Sequence, residues 1–211
     1  MSKVAFLGMG VMGYPMAGHI AAAGHEVTVY NRTAAKSEAW AAQYGGAAAL
    51  TPAAAAADAD FVFCCVGDDP DVLSVALGDD GAIPAMKSGA VFIDNSTVSA
   101  DVARQVYDAA KAMGVHTLDA PVSGGQAGAE NGRLSIMCGG SEPAVAAARI
   151  VMQAYAARIV HVGGAGAGQA SVQAASTSGS RASVASRASA KAAVAQLRAR
   201  SAAVVRLSAT A

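Results

Sequence analysis

Lys3-Val-Ala-Phe-Leu-Gly8-Met-Gly10-Val-Met-Gly13 stands near the start of the chain and decides how the rest is read. A short apolar run ended by glycine predicts a buried strand. The segment from Val11 to Ala23 predicts a helix, which Gly24 stops. Between strand and helix the glycines are spaced G-x-G-x-x-G. Alone this spacing is only a tight turn, but here a strand precedes it and a helix follows it. Gly8 permits the turn, Gly10 lets the backbone approach a ligand, and Gly13 lets helix and strand pack closely. The helix N-terminus adds unpaired N–H groups and a partial positive charge, which suit phosphate oxygens. Gly8, Gly10, Val11, Met12 and Gly13 are therefore candidates to hold a diphosphate.

The next strand sharpens the reading. Glu26-Val-Thr-Val-Tyr30 is rich in β-branched residues and predicts a strand. In such a unit its end holds an adenosine ribose, where an acid selects NAD and an arginine suits a 2′-phosphate. The chain has Asn31-Arg32-Thr33 and no acid there. A guanidinium meets phosphate with a forked, charged contact. Asn31, Arg32 and Thr33 thus become coenzyme candidates. NADP(H) is favoured and NAD remains possible. The plainer reading of Arg32 is a solvated residue at a helix start.

Farther along, helical and strand patterns alternate. Helices are expected from Thr33 (a candidate N-cap) to Tyr44, after Thr51-Pro52, from Asp71 to Leu77, from Ser99 to Met113 and from Glu142 to Tyr155. Strands are expected at Phe61–Val66, Ala90–Asp94, Val115–Asp119, Leu134–Cys138 and Ile159–Val162. Continuous apolar strands such as Phe61-Val-Phe-Cys-Cys-Val66 belong to parallel sheets covered on both faces. Alternation of this kind predicts an α/β fold, a doubly wound parallel sheet of βαβ units. Asp68, Asp69 and Asp71 read as a solvated loop, and Asp119 as the cap of its own loop.

Composition narrows the classes. The 211 residues are 54% apolar, with 15 basic and 15 acidic side chains. That is too hydrophobic for a disordered chain. Three cysteines make no disulfide framework and point to a reducing compartment, so a cytoplasmic protein is expected. No apolar run reaches the roughly 18 residues of a membrane span. The cysteines and histidines have no metal-ligand spacing, so no metal site is expected.

A second motif, Asp119-Ala-Pro-Val-Ser-Gly-Gly125, follows the strand ending at Asp119. Ligands bind outside the carboxyl ends of strands in open α/β sheets. Ser123 and the N–H groups of Gly124 and Gly125 can hold a carboxylate there; a plain glycine-rich turn is the other reading. With this block in place the chain resembles the β-hydroxyacid dehydrogenase family, the group of 3-hydroxyisobutyrate dehydrogenases and tartronate semialdehyde reductases. The resemblance rests on Phe6–Met16, Asn31–Thr33, Asp94-Asn-Ser-Thr97 and Asp119–Gly125, and spans about residues 2–169. It implies a Rossmann-type domain, Thr97 on the nicotinamide side, and Ser123, Gly124 and Gly125 on the substrate carboxylate. It also implies hydride transfer between NAD(P) and a small 3-hydroxy acid such as 3-hydroxyisobutyrate.

Beyond Gln169 the pattern departs from that family. All fifteen acidic residues lie at or before Glu142, whereas residues 170–211 hold six basic residues and are mostly Ala and Ser. Only residues 190–207 suit a helix with a thin apolar face. The expected division is an NAD(P)-binding domain at 1–165 and an atypical Ala/Ser/Arg-rich remnant at 166–211. The family's proton-relay lysine lies in a Gly-x-x-x-Lys-x-x-Asn pattern. Here Gly168 is followed at those positions by Val172 and Ala175, so no catalytic residue is assigned. Lys191 lies nineteen residues beyond Val172, about 28 Å along a helix, and does not replace it. A reading-frame slip near Gln169 would produce such a tail, as would truncation or a natural extension. Translating the downstream DNA in the other two frames tests the first idea. Six charges without an aromatic stacking residue make a poor nucleic-acid arm, and none is expected to bind. Two readings stay open: an NAD(P)-dependent oxidoreductase, or a non-catalytic NADP-binding domain. Family members dimerise through C-terminal helices, so poor solubility is expected without them.

Overall fold

A computed structural model of the chain describes residues 1–174, of which Met1–Val172 form one compact unit. At its centre lies β1 (Lys3–Leu7). Val4 and Phe6 enter the core on one face of the sheet, Ala5 and Leu7 the core on the other. Two-sided burial is why this strand is apolar at every inner position. It pairs in parallel with β2 (Glu26–Tyr30) and, on its other edge, with β4 (Phe61–Cys64). The two-residue β3 (Ala47–Ala48) extends the sheet beyond β2; β5 (Val91–Asp94) and β6 (His116–Asp119) extend it beyond β4. The order β3-β2-β1-β4-β5-β6 reverses direction at β1, and a crevice at the carboxyl ends follows from that reversal.

Helices cover both faces. Core residues on one side come from α1 (Gly13–Ala22), α2 (Ala34–Tyr44), α7 (Gly125–Glu130) and α8 (Glu142–Met152). On the other side they come from α3 (Pro52–Ala56), α4 (Asp69–Leu77), α5 (Ala82–Ala85) and α6 (Ala100–Ala112). The expected doubly wound, Rossmann-type α/β architecture is thus present. Phe63 stacks on Phe6 with ring centroids 5.9 Å apart and meets Tyr155 edge-on at 6.0 Å. Cys64 and Cys65 point to opposite faces, and all three cysteines are free.

One expectation is corrected beyond β6. The last strands do not continue the parallel sheet: β8 (Leu134–Gly140) runs antiparallel to both β6 and β7 (Val122–Ser123). The register is the same across both pairings, with Leu118 opposite Gly140 and Ser123 opposite Ser135. So β6 and β7 are one strand broken at Ala120-Pro121, where proline has no N–H for the ladder. Six residues of α7 rise only about 9 Å, too little to carry the chain back along the sheet. The chain therefore re-enters as a hairpin partner. β8, α8 and β9 (Ala156–Gly163) then make a further parallel unit of opposite direction.

Local details differ in smaller ways. Thr33 does precede α2, but its side chain makes no capping bond. α8 ends at Met152 rather than Tyr155. Residues 167–174 are helical. The helix expected at 190–207 lies outside the described residues, as do Ala175 and Lys191. Among the described residues no helix is long and apolar enough to cross a membrane.

Candidate coenzyme site

The carboxyl ends of β1, β2 and β4 frame a cleft of about 450 Å³. Its floor is the glycine loop. Gly8 has φ +106, and a Cβ there would overlap the Cys65 carbonyl oxygen; one at Gly13 would overlap the Gly8 carbonyl oxygen. Both residues are glycine because backbone passes backbone. Gly10 differs, since a Cβ on it would meet nothing within 4 Å. Its missing side chain leaves space at the cleft, not room for a neighbour. That leaves room for a ligand to approach the backbone.

Electrostatics agree at this point, and α2, whose Thr33 makes no capping bond and whose first turn holds no acid, shares the feature. α4 and α6 are capped by Asp68 and Ser99, which accept from Asp71 N–H and Val102 N–H, and each carries acid in its first turn. α1 has neither a side-chain cap nor an acidic residue in its first turn. Tyr14 N–H bonds the Gly10 carbonyl and Pro15 has no N–H, so Gly13 and the loop residues Gly10, Val11 and Met12 are what the helix start presents on the cleft, and backbone donors there suit an anion. The donor set and the space at Gly10 both fit a diphosphate.

Each expected residue of this region lies on the cleft: Gly8, Gly10, Val11, Met12 and Gly13 on the loop, and Asn31, Arg32 and Thr33 at the end of β2. Asn31 fixes the loop. Its Oδ1 accepts from Met9 N–H at 2.9 Å, and its Nδ2 donates to the Thr33 carbonyl at 3.1 Å. Arg32 is exposed and bonds Asp71 on the opposite wall. Lys36, one turn into α2, is a second cation on the lining that the motif did not reveal. The Cys65 thiol borders the cleft but is pushed up to about 12 by burial and then by the Asp94 carboxylate, so it offers no thiolate.

The other expected residues lie elsewhere along the edge. Thr97 is exposed, outside the cleft lining, between two buried neighbours. Ser96 Oγ accepts from Val66 N–H at 2.9 Å, tying that loop to the cleft wall. Ser123, Gly124 and Gly125 are exposed where β7 meets α7, with φ +133 and +62 at the two glycines. The structure does not bring these three into the cleft.

Two sequence readings of acids are overturned. Asp71 lies in the expected helix, but Asp68 and Asp69 are not a solvated loop: α4 starts two residues earlier, at Asp69, with Asp68 as its cap. Asp69 accepts from Ser99 N–H at 2.9 Å. Asp119 does not cap its own loop. Its two oxygens accept from Gly166 N–H at 2.8 Å and Gln169 N–H at 2.9 Å. Gln169 was legible only as a boundary, yet it is fully buried. Its Nε2 donates to the Ser96 carbonyl at 2.7 Å and its Oε1 accepts from Val98 N–H at 3.2 Å. It therefore clamps the loop that carries Thr97. Beside it Asp94 is buried, with Oδ1 accepting from Ser96 N–H and Oδ2 unpartnered. Burial pushes its carboxyl up to about 7. Val172 is half-buried in the helical segment that Asp119 and Gln169 anchor. Among the described residues no group of His, Cys, Asp or Glu suits a metal ion.

Known proteins share this sequence and fold. Residues 3–163 match the family described as the NAD binding domain of 6-phosphogluconate dehydrogenase. An uncharacterized oxidoreductase of Shewanella frigidimarina is 51% identical over 169 residues, 80% of this chain and 58% of that protein. The 3-hydroxyisobutyrate dehydrogenase of Pseudomonas aeruginosa is 38% identical over 169 residues, 80% of this chain and 56% of that protein. The solved Mycobacterium tuberculosis 3-hydroxyisobutyrate dehydrogenase with L-serine superposes with a TM-score of 0.76 at 37% identity, covering 81% of this chain and 57% of that one. The chain thus spans a little over half the length of these relatives. It belongs to the family of the NAD-binding domain of 6-phosphogluconate dehydrogenase, and 3-hydroxyisobutyrate dehydrogenases are among the proteins it is similar to.

Proposed function

We propose that residues 1–174 form the coenzyme-binding part of an NAD(P)-dependent oxidoreductase of the β-hydroxyacid dehydrogenase type, with NADP(H) preferred. The observation that carries this is the mouth of α1: uncapped, free of acid, and open above Gly10. A nicotinamide coenzyme, when bound, supplies or takes the hydride. The chain's own residues do the rest. The backbone of the glycine loop and of Gly13 at the start of α1 holds the diphosphate, Asn31 keeps the loop in shape, and Arg32 takes the 2′-phosphate. Thr97, on the loop clamped by Gln169, faces the nicotinamide side, and Ser123, Gly124 and Gly125 receive the substrate carboxylate. A small 3-hydroxy acid is the substrate class of that reading. L-serine, bound by the mycobacterial relative, is itself a 3-hydroxy carboxylic acid.

General acid–base help from the family's lysine is worth on the order of 10²–10⁴ in rate. Val172 occupies that position, and an isopropyl group carries no proton. The chain is therefore proposed to bind coenzyme without turning it over. The remnant expected from residue 166 begins with a segment held in the compact unit Met1–Val172 through Asp119 and Gln169, and the residues after 174 are proposed to stand where relatives carry their second domain. The three free cysteines support a reducing, cytoplasmic setting. Calorimetric titration with NADPH and NADH, followed by a 3-hydroxyisobutyrate oxidation assay, tests the reading. Saturable NADPH binding without oxidation is expected. No binding of either coenzyme would overturn it, and turnover would overturn the assignment of inactivity.

A further inference from the structure

The start of α4 carries three acids, two of which are spent on structure. Asp68 Oδ1 caps the helix and Asp69 Oδ1 holds Ser99 N–H. Asp71 is not spent in that way: its Oδ1 lies 3.1 Å from Arg32 Nη1, across the cleft from the end of β2. Its other oxygen lies where a Cβ on Gly67 would approach to 3.0 Å, so the carboxylate is seated against the backbone of the opposite wall. The arginine side chain is 85% exposed and the aspartate 32%. Both residues line the cleft.

We propose that Asp71 sets the coenzyme choice of this site by opposing the 2′-phosphate that Arg32 attracts. The proposal rests on the reading of Arg32 given above. A phosphate seated on the guanidinium would stand within roughly 5 Å of the carboxylate, where like charges repel through poorly screening distance. The ribose hydroxyl of the unphosphorylated coenzyme brings no charge and meets no such penalty. Asp71 therefore narrows the gap between the two coenzymes, and the chain takes both. Its hold on Arg32 is a weak, exposed ion pair, so the effect comes from charge and not from locking the arginine.

The test uses the full chain in phosphate-free buffer, with NADPH and NADH titrated by calorimetry. Asp71→Asn keeps an acceptor for Arg32 and removes the charge. It is expected to bind NADPH about tenfold tighter at low salt, with the gain shrinking as salt rises and NADH changing less than about twofold. Unchanged or weaker NADPH binding in this variant overturns the proposal, as does an equal gain for both coenzymes. Arg32→Leu separates this from the underlying reading. It is expected to weaken NADPH selectively, and if it leaves NADPH untouched the 2′-phosphate reading falls, and the Asp71 proposal with it. If Arg32→Leu weakens NADPH while Asp71→Asn does nothing, only the Asp71 proposal falls.

Discussion

Two polar regions share the carboxyl edge of one sheet, and they solve opposite problems. At the mouth of α1 the backbone donors have no side-chain cap and open onto a cleft. At the junction of β5, β6 and residues 166–169, Asp119 and Gln169 together make four hydrogen bonds and are both buried. Unpaired polar groups are costly when buried, so the first arrangement persists only where solvent or a ligand can reach it. The second is what the same edge looks like when its polar groups serve the fold alone. The first region is the one proposed to bind coenzyme phosphate; the second fixes the loop that carries Thr97.

Substitutions can break this contrast, and the largest effect is expected at the floor of the cleft. Gly8→Ala adds a methyl where the Cys65 carbonyl oxygen already sits, on a backbone with φ +106. A loss of about 3 kcal/mol or more is expected in denaturant unfolding. A variant as stable as the parent would show that the loop adapts freely. Next comes Gln169→Ala in the closed region. It removes the two hydrogen bonds that the Gln169 side chain makes to the Ser96 carbonyl and Val98 N–H, at a cost of about 2–3 kcal/mol. Cleft binding should survive at temperatures where the variant remains folded.

Asp94 gives the closed region a pH signature. Its folded-state value, about 7, lies above the ordinary 3.8. The folded chain therefore holds an extra proton between those values, so stability is full below about pH 4 and falls as pH rises toward 7. Asp94→Asn should remove most of that decline and gain about 2 kcal/mol at pH 8. Melting curves from pH 4 to 8 check this; parallel profiles for parent and variant would refute it. The smallest stability effect belongs to Gly10→Ala, below about 0.5 kcal/mol, because its Cβ meets nothing within 4 Å. That variant should nonetheless bind coenzyme at least about tenfold more weakly, since the methyl occupies the approach to the backbone.

Sequence reading reached the open region because its constraints are local. Gly8, Gly10 and Gly13 sit within six residues, between a strand and a helix that periodicity identifies. Asn31 and Arg32 end the very next strand. β3, α5 and β7 were missed because two to four residues carry no period. The direction of β8 was missed because alternation says which face a residue meets and not which way a strand runs. Asp119 and Gln169 are fifty residues apart, and nothing in either neighbourhood announces that they meet. Asp68 and Asp69 read as a loop because Asp and Pro favour turns, and those same preferences also open helices.

The direct test of the central claim is one calorimetric comparison: NADPH titrated into the parent chain and into Gly10→Ala, with melting temperatures recorded for both. The account predicts saturable one-to-one binding to the parent, at least about tenfold weaker binding to the variant, and matching melting temperatures. Absence of saturable heat from the parent at millimolar NADPH, or equal binding by the two proteins, would contradict it.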